Sequence, residues 1–292
     1  MAFRNVGFVL EKNIYQDLIM LTKHKKLIAL IFLVLFSAIG HAQDRFTKLT
    51  FNDEFNGAAG SGIDTTKWTA EIGGKGWGNQ ELQFYTNSTE NAHLDGNGNL
   101  VIKAVKLNPP LNLDCWYGKC EYTSARLITK GKFEQKYGKF EARIKIPRGQ
   151  GMWSAFWMLG NDIDKVGWAE CGEIDIMENI GREPKTVHGT IHGPGYSGDK
   201  GIGAPFDIKK KVADDFHVFT TEWSENKIEF FMDGKRYKTI TPRDLPAGAK
   251  WVYDHPFFLL LNFAIGGPWG GNPDKTSVFP QEMVVDYVRV YQ

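Results

Sequence analysis

Three carboxylates lie within six residues of a strand-like segment, at Glu173, Asp175 and Glu178. Acidic side chains this close together repel one another, and proteins commonly tolerate that cost where catalysis needs carboxyl groups with perturbed pKa values. The residues between the three acids are apolar, which favours a strand with one buried face over a solvated acidic edge. The segment is therefore the first candidate for a catalytic site.

Regular strand alternation would place Glu173 and Asp175 on one face and Glu178 on the other. One extra residue restores the phase, so we predict a β-bulge at Met177. The two glutamates would then be about four strand steps apart, roughly 13 Å between Cα atoms. Side chains that lean inward could bring the carboxyl groups to the roughly 5 to 5.5 Å of retaining glycosidases, so the spacing favours retention over inversion.

Neighbouring motifs extend this pattern. The acidic segment is preceded by Gly-Met-Trp-Ser-Ala-Phe-Trp-Met-Leu-Gly and followed by His-Gly-Thr-Ile-His-Gly. Together these motifs resemble the active-site region of glycoside hydrolase family 16, specifically its laminarinase-like members. The resemblance extends over residues 46–292. Charge and spacing alone do not say which glutamate attacks. The resemblance implies that Glu173 is the nucleophile, that Asp175 assists, and that Glu178 is the general acid/base.

Strand patterns dominate the remainder of the chain. Residues 140–146 alternate between apolar and charged side chains, and two strand-like segments flank Asp233-Gly234, a strong hairpin signal. Residues 257–265 are nearly all apolar, as in a strand covered on both faces. Residues 283–291 have a similar strand-like pattern. Many short strands predict an all-β, two-sheet sandwich. The resemblance implies a concanavalin A-like jelly roll with a concave substrate cleft.

Two pairs of ring-bearing residues have strand spacing. Trp153 and Trp157 share a face and could stack on pyranose rings or fill the core; the resemblance favours the cleft. His188 and His192 also share a face, but about 13 Å separates residues four apart in a strand, too far to bind one metal ion. We expect His192 to contact substrate or a catalytic carboxylate.

The resemblance implies further substrate-binding residues. Asn79, in Gly-Asn-Gln-Glu-Leu-Gln-Phe-Tyr-Thr, and Arg126, in Thr-Ser-Ala-Arg-Leu, match its sugar-contacting positions, although solvated surface positions are the ordinary alternative for both residue types. Trp168 and Trp269 lie in Gly-rich segments, where they would either cap the cleft ends or anchor their loops.

A structural metal site is also implied. Asp286 falls in phase with Val284, Val288 and Val290, which would leave an acid on an apolar face in need of a partner. The resemblance implies a structural Ca²⁺ held by Glu54, Gly98 and Asp286. An ion pair with Arg289 or a lysine is the alternative. No cofactor is expected for catalysis.

The composition describes an ordinary globular protein. The chain has 292 residues, 35 Lys and Arg against 34 Asp and Glu, and a net charge of +1, so nothing suggests a nucleic-acid partner. A polysaccharide is the expected partner, and a monomer the expected state. Without a linker, repeat or low-complexity tract, residues 43–292 are predicted to form a single catalytic domain.

The N-terminal residues, 1–42, resemble an extension followed by a secretory signal. A basic cluster at 23–26 precedes an apolar run at 27–39, and small residues follow up to Ala42. The run is shorter than the roughly 20 residues of a spanning helix, which disfavours a retained anchor. We expect cleavage after Ala42 and an extracellular or periplasmic protein. Met20 would give a more standard signal, so translation starting there is an alternative.

Three cysteines are too few for a disulfide framework. Cys115 and Cys120 could bridge a small loop, and Cys171 is expected to be a small buried residue.

Together these features predict an endo-β-glucanase that hydrolyses β-1,3 bonds of laminarin-like glucans with retention, and mixed-linked glucans could also be substrates. Two alternatives stay open: a family-16 hydrolase of agar or carrageenan, and a non-catalytic β-glucan-recognition protein. Transglycosylation is compatible with the same residues.

Overall fold

The structure, a computed structural model, describes residues 45–110 and 112–292. The predicted signal peptide and its cleavage after Ala42 lie outside these residues. No helix in the described part of the chain has the length and apolar character needed to cross a bilayer.

Strands form most of the described regular structure. Their bounds are β1 (Leu49–Asp53), β2 (Thr69–Ala70), β3 (Gln83–Tyr85), β4 (Ala92–Leu94), β5 (Leu100–Lys106), β6 (Asp114–Cys115), β7 (Gly118–Lys119), β8 (Tyr122–Ser124), β9 (Arg126–Ile128), β10 (Gly138–Lys145), β11 (Met152–Gly160), β12 (Glu173–Ile180), β13 (Thr186–His192), β14 (Ile202–Asp207), β15 (His217–Ser224), β16 (Lys227–Met232), β17 (Lys235–Ile240), β18 (Phe257–Ile265) and β19 (Gln281–Tyr291). Short α-helical turns are α1 (Ile163–Val166) and α2 (Gly267–Gly270), and 3₁₀ turns occupy Gly76–Gly78, Gly198–Lys200, Val212–Asp214 and Pro242–Asp244.

The strands build two large sheets, as predicted for a sandwich. The first has the order β17-β16-β15-β10-β19-β5-β8-β3, with β1 paired to β19 and β4 to β5. The second has the order β14-β13-β12-β11-β18-β9-β2. Pairing is antiparallel throughout the second sheet, and long-range pairs such as β11 with β18 bring distant segments side by side. This second sheet carries the acidic segment in its middle.

The predicted strand patterns are confirmed by burial. In β10 the alternating residues Phe140, Ala142 and Ile144 are fully buried between the sheets, while the charged residues between them are only partly buried. All nine residues of β18 are buried. Its alternate residues belong to two clusters: Leu259 and Leu261 join the main core, whereas Phe258 and Leu260 pack with Cys171 in a smaller one. Strand β18 is therefore covered on both faces.

The hairpin turn predicted at Asp233-Gly234 is present. Asp233 and Gly234 have φ values of 50° and 73° between β16 and β17. Positive φ at both central residues is the geometry of a type I′ hairpin turn, which matches the twist of the flanking strands. Cys115 and Cys120 form a disulfide across the β6-β7 hairpin, and Cys171 is a buried free thiol.

Candidate active site

The predicted bulge is present in β12, with Ile176 rather than Met177 as the extra residue. Phe156 of β11 faces Met177, but its neighbour Trp157 faces Asp175, so Ile176 is the extra residue. Ile176 and Met177 are both fully buried in the main core. Two consecutive residues on the buried side shift the phase of the strand. Glu178 is thereby returned to the same face as the other two acids.

Each acid has a defined partner on that face. The indole Nε1 of Trp168 donates a hydrogen bond to Oε2 of Glu173 at 2.6 Å, and Nε1 of Trp153 donates to Oε1 of Glu178 at 3.0 Å. His192 Nε2 lies 3.2 Å from Oδ2 of Asp175 and 4.0 Å from Oε1 of Glu173. His192 is therefore close to Asp175, although Oδ2 of Asp175 accepts no hydrogen bond, and the binding of substrate by His192 stays a prediction.

Burial dominates the electrostatics of the three acids. It raises the pKa of Glu173 to about 8, helped by the charge of Asp175, and it raises the pKa of Asp175 to about 7. The pKa of Glu178 is raised well above its ordinary value, first by burial and then by the charges of Asp175 and Glu173. The hydrogen bonds from Trp168 and Trp153 act in the opposite direction. The site therefore holds protons on carboxyl groups at neutral pH, as a general acid requires.

Glu173, Asp175 and His192 also place donor atoms within 4.8 Å of one another, which is close enough to hold a cation. The indole of Trp168 donates to Oε2 of Glu173, whereas Oε1 is the oxygen that lies 4.0 Å from His192 Nε2. The expectation that catalysis needs no cofactor stays a prediction.

Aromatic residues line one side of the site. Trp153 and Trp269 meet edge to face with ring centroids 5.1 Å apart, and Trp269 meets His188 in the same way at 5.1 Å. His188 Nε2 lies 2.9 Å from Oε2 of Glu183. Val187, the neighbour of His188 in β13, is fully buried, so the predicted division of β13 into a core face and an open face is correct.

Arg126 lies on the other side of Trp157. Its guanidinium carbon is 4.8 Å from the Trp157 ring centroid and 4.9 Å from that of Trp77, and its Nε donates to Oε2 of Glu71 at 2.5 Å. Stacking between two aromatic rings and pairing with a carboxylate fix the guanidinium plane. The structure therefore places Trp157 and Arg126 together, whereas their binding of sugar stays a prediction.

A buried polar network beneath these residues was missed by the sequence analysis. Asn79 Nδ2 lies 3.4 Å from Oε1 of Glu81, whose side chain is buried with Gln83, Tyr85 and Asn262. The available signal was that Glu81, Gln83 and Tyr85 are spaced by two residues within the motif that contains Asn79. In an extended segment this spacing places polar side chains on one face.

The expected phase of Asp286 was wrong. Tyr287 of β19 faces Arg143 and Val285 faces Ile144, so Asp286 is the extra residue of a second bulge and lies outside the core. Its carboxylate accepts a hydrogen bond from Nη1 of Arg143 at 2.5 Å. The prediction placed Asp286 on the wrong face because a bulge interrupts the two-residue alternation of the strand.

The predicted calcium ligands are held in ion pairs. Nε and Nη2 of Arg289 donate to the two oxygens of Glu54, both at 2.8 Å, and Asp286 is paired with Arg143. Gly98 lies beside the main-chain carbonyl of Glu54, with φ of +83°. Calcium binding by these acids would have to displace both arginines, so the three residues as placed do not fit the ion. The calcium site stays a prediction.

Comparisons with known proteins identify the family and proteins of similar fold. The model of the family described as glycosyl hydrolases family 16 matches residues 76–289. A β-glucanase of Rhodothermus marinus is 42% identical over 84% of this chain and 85% of its own length. Glucan endo-1,3-beta-glucosidase A1 of Niallia circulans is 39% identical over 84% of this chain, which spans only 38% of that relative. The laminarinase catalytic domain of Thermotoga maritima superposes with a TM-score of 0.78 at 48% identity, covering 84% of this chain and 98% of that domain.

Proposed function

The chain belongs to glycosyl hydrolases family 16, and from that membership we propose that it is an endo-acting β-glucanase that cleaves internal β-1,3 bonds of laminarin-like glucans with retention. The observation that carries the proposal is the bulge at Ile176 and Met177, which puts Glu173, Asp175 and Glu178 on one open face. The names of the similar proteins support the β-1,3 linkage.

The reaction uses the two glutamates in turn. Glu178, kept protonated by burial and by its acidic neighbours, donates its proton to the glycosidic oxygen while Glu173 attacks the anomeric carbon. Esterification removes the negative charge of Glu173. The pKa of Glu178 then falls, because one of the charges that raised it is gone, and the carboxylate can deprotonate the attacking water.

Asp175 and His192 support this exchange. The 3.2 Å approach of His192 Nε2 to Asp175 gives the aspartate a partner that limits its repulsion of Glu173. Asp175 is 2% exposed, so its charge acts on Glu173 with little screening by water. We propose that this pair orients the nucleophile and stabilises positive charge on the sugar in the transition state.

A digestion panel of laminarin, lichenan, agarose and xyloglucan tests the proposal, with products sized over time and their anomeric form followed by NMR. We expect internal cleavage of laminarin and initial release of the β-anomer. Cleavage of agarose alone would contradict the substrate, and initial release of the α-anomer would contradict the double displacement. No cleavage of any polymer would support the glucan-recognition alternative.

A broader specificity is the second candidate. A non-specific endo-β-1,3(4)-glucanase named SCLam is 38% identical, with a TM-score of 0.75 over 84% of this chain. Lichenan cleavage at a rate comparable to that of laminarin would establish it. A β-1,3-glucan-binding protein of Penaeus monodon is a more distant relative at 29% identity, and the complete set of three acids in this chain argues against a purely binding role.

We also propose that the protein is secreted after cleavage behind Ala42 and acts as a monomer. The basic cluster and apolar run at 23–39 support the first point. N-terminal sequencing of secreted protein should begin at Gln43, and a mature chain that retains earlier residues would contradict the cleavage site. Light scattering should give the mass of a single chain.

A further inference from the structure

We propose that Glu81 is a positioning residue that holds two sugar-contacting side chains, Asn79 and Trp157, in a single hydrogen-bonded unit beneath the open face. This inference rests on the proposed function, because it assigns those two side chains to substrate binding. Glu81 takes no part in the chemistry described above, yet it is a carboxylate with only 4% of its surface exposed. A buried acid without a role is costly unless several donors satisfy it.

Three donors converge on the Glu81 carboxylate. Gln83 Nε2 donates to Oε2 at 2.6 Å and the Tyr85 hydroxyl donates to the same oxygen at 3.1 Å. Asn79 Nδ2 approaches the other oxygen, Oε1, at 3.4 Å. An ionised carboxylate only accepts hydrogen bonds, so it suits a position faced by three donors. With its NH₂ group turned towards Glu81, Asn79 keeps its amide oxygen free to accept a hydrogen bond from a sugar hydroxyl.

The network continues from Tyr85 to the open face. Asn262 Nδ2 donates to the Tyr85 hydroxyl at 3.1 Å, and Asn262 Oδ1 accepts from Trp157 Nε1 at 2.7 Å. Tyr85 is fully buried and Asn262 is 5% exposed, so a broken link leaves a polar atom without water to replace it. Trp157 is therefore held in one orientation by a chain of bonds that ends at Glu81.

The backbone around Glu81 is fixed as well. Its carbonyl accepts a hydrogen bond from Nε1 of Trp116 at 2.8 Å, and the carbonyl of Leu82 accepts from the Tyr117 hydroxyl at 2.7 Å. Gln83 Oε1 accepts from the Ile265 amide at 2.7 Å. These three bonds hold the segment in place, so a change at Glu81 should affect the positions of Asn79 and Trp157.

Glu81→Gln separates positioning from folding. The glutamine oxygen can still accept from Gln83 and Tyr85, but its NH₂ group would face the NH₂ group of Asn79, and two donors cannot bond to each other. We expect KM for laminarin to rise about three- to tenfold, the equivalent of one hydrogen bond, with kcat within twofold. Glu229→Gln is the matched control, because Glu229 is also 4% exposed but lies in β16 of the other sheet. It should leave KM unchanged.

A double-mutant cycle with Asn79→Ala completes the test. If Glu81 acts through Asn79, adding Glu81→Gln to Asn79→Ala should raise KM no further. An unchanged KM in Glu81→Gln, or fully additive effects in the cycle, would overturn the proposal. If Glu81→Gln fails to fold, Tyr85→Phe removes one hydroxyl from the network and decides the question by the same KM measurement.

The readout also separates this inference from the proposed function. An active wild type with an unchanged KM in the variants would refute the positioning role alone. If the wild type hydrolyses no glucan, the proposed function fails, and the same variants are compared by calorimetric Kd for laminarin oligosaccharides. Equal Kd values in wild type and Glu81→Gln would then overturn the inference.

Discussion

The two tryptophans that donate to the glutamates proposed as catalytic, Trp168 to Glu173 and Trp153 to Glu178, should control opposite limbs of the pH profile. Active free enzyme needs Glu173 ionised and Glu178 protonated, so the acidic limb of kcat/KM reports the ionisation of Glu173 with its neighbour Asp175, and the basic limb reports Glu178. Trp168 lowers the pKa of Glu173 by its hydrogen bond, and Trp153 lowers that of Glu178. Replacing either indole by phenylalanine removes the N–H and keeps an aromatic ring.

The direction and size of the pKa change caused by each substitution follow from the hydrogen bond that is lost. A hydrogen bond to a charged group contributes about 1.5 to 3 kcal/mol, or roughly one to two pKa units. Trp168 is 51% exposed, so water replaces part of its hydrogen bond and a shift of about half a unit is expected for Trp168→Phe. Trp153 is partly buried against Trp269, so about one unit is expected for Trp153→Phe. Both shifts are upward, since both lost bonds favoured the ionised carboxyl group.

The assay is kcat/KM on a soluble laminarin oligosaccharide across the full pH range of stability. Trp168→Phe should move only the acidic limb to higher pH, and Trp153→Phe only the basic limb. An exchange of the two effects would reverse the roles assigned to Glu173 and Glu178. Profiles that fall in height without moving would show that the indoles serve substrate stacking alone, and would refute the electrostatic reasoning.

Three further predictions test the surrounding structure. Glu173→Gln should raise Tm, and increasingly so from pH 5 to pH 8: the folded-state pKa of Glu173, about 8, exceeds the ordinary 4.5, so its burial destabilises the fold as pH rises through that window. A Tm difference independent of pH would contradict this. Reduction of the Cys115–Cys120 disulfide should raise KM with little change in kcat, because Trp116 in this hairpin donates a hydrogen bond to the carbonyl of Glu81, two residues from Asn79; an unchanged KM would show that the disulfide does not support substrate binding. EDTA should leave Tm unchanged, because Arg289 and Arg143 already pair with Glu54 and Asp286; a fall in Tm that added Ca²⁺ reverses would show that the ion displaces these arginines.

Much of the site could be predicted because its signals are local. The spacing of Glu173, Asp175 and Glu178 around apolar residues predicted a bulge, and the structure confirms it with Ile176 and Met177 both in the core. The side-chain period of a strand is two, so residues a few positions apart reveal which face each one occupies. The open face of β13 was predicted from the same period, whereas the hairpin was predicted from Asp233-Gly234 and the burial of β18 from its continuous apolar run.

Other features depend on which distant segments become neighbours. Asp286 was assigned to the wrong face because nothing in its own segment marks the bulge opposite Arg143, 143 positions away in sequence. Glu81 was overlooked because its proposed role depends on a distant strand. Asn262 of β18 donates a hydrogen bond to the Tyr85 hydroxyl, which in turn donates to Glu81.

The sequence alone therefore determined the strand periods, the shared face of the three acids proposed to be catalytic, and the family resemblance, since these are encoded in short stretches of side chains. Only the tertiary structure decided which buried donors satisfy Glu81, which indole contacts each catalytic glutamate, and which arginine pairs with each outer acid. Sheet pairing sets those distances, and hydrogen bonds and ion pairs form only between groups that pairing brings within about 3 Å.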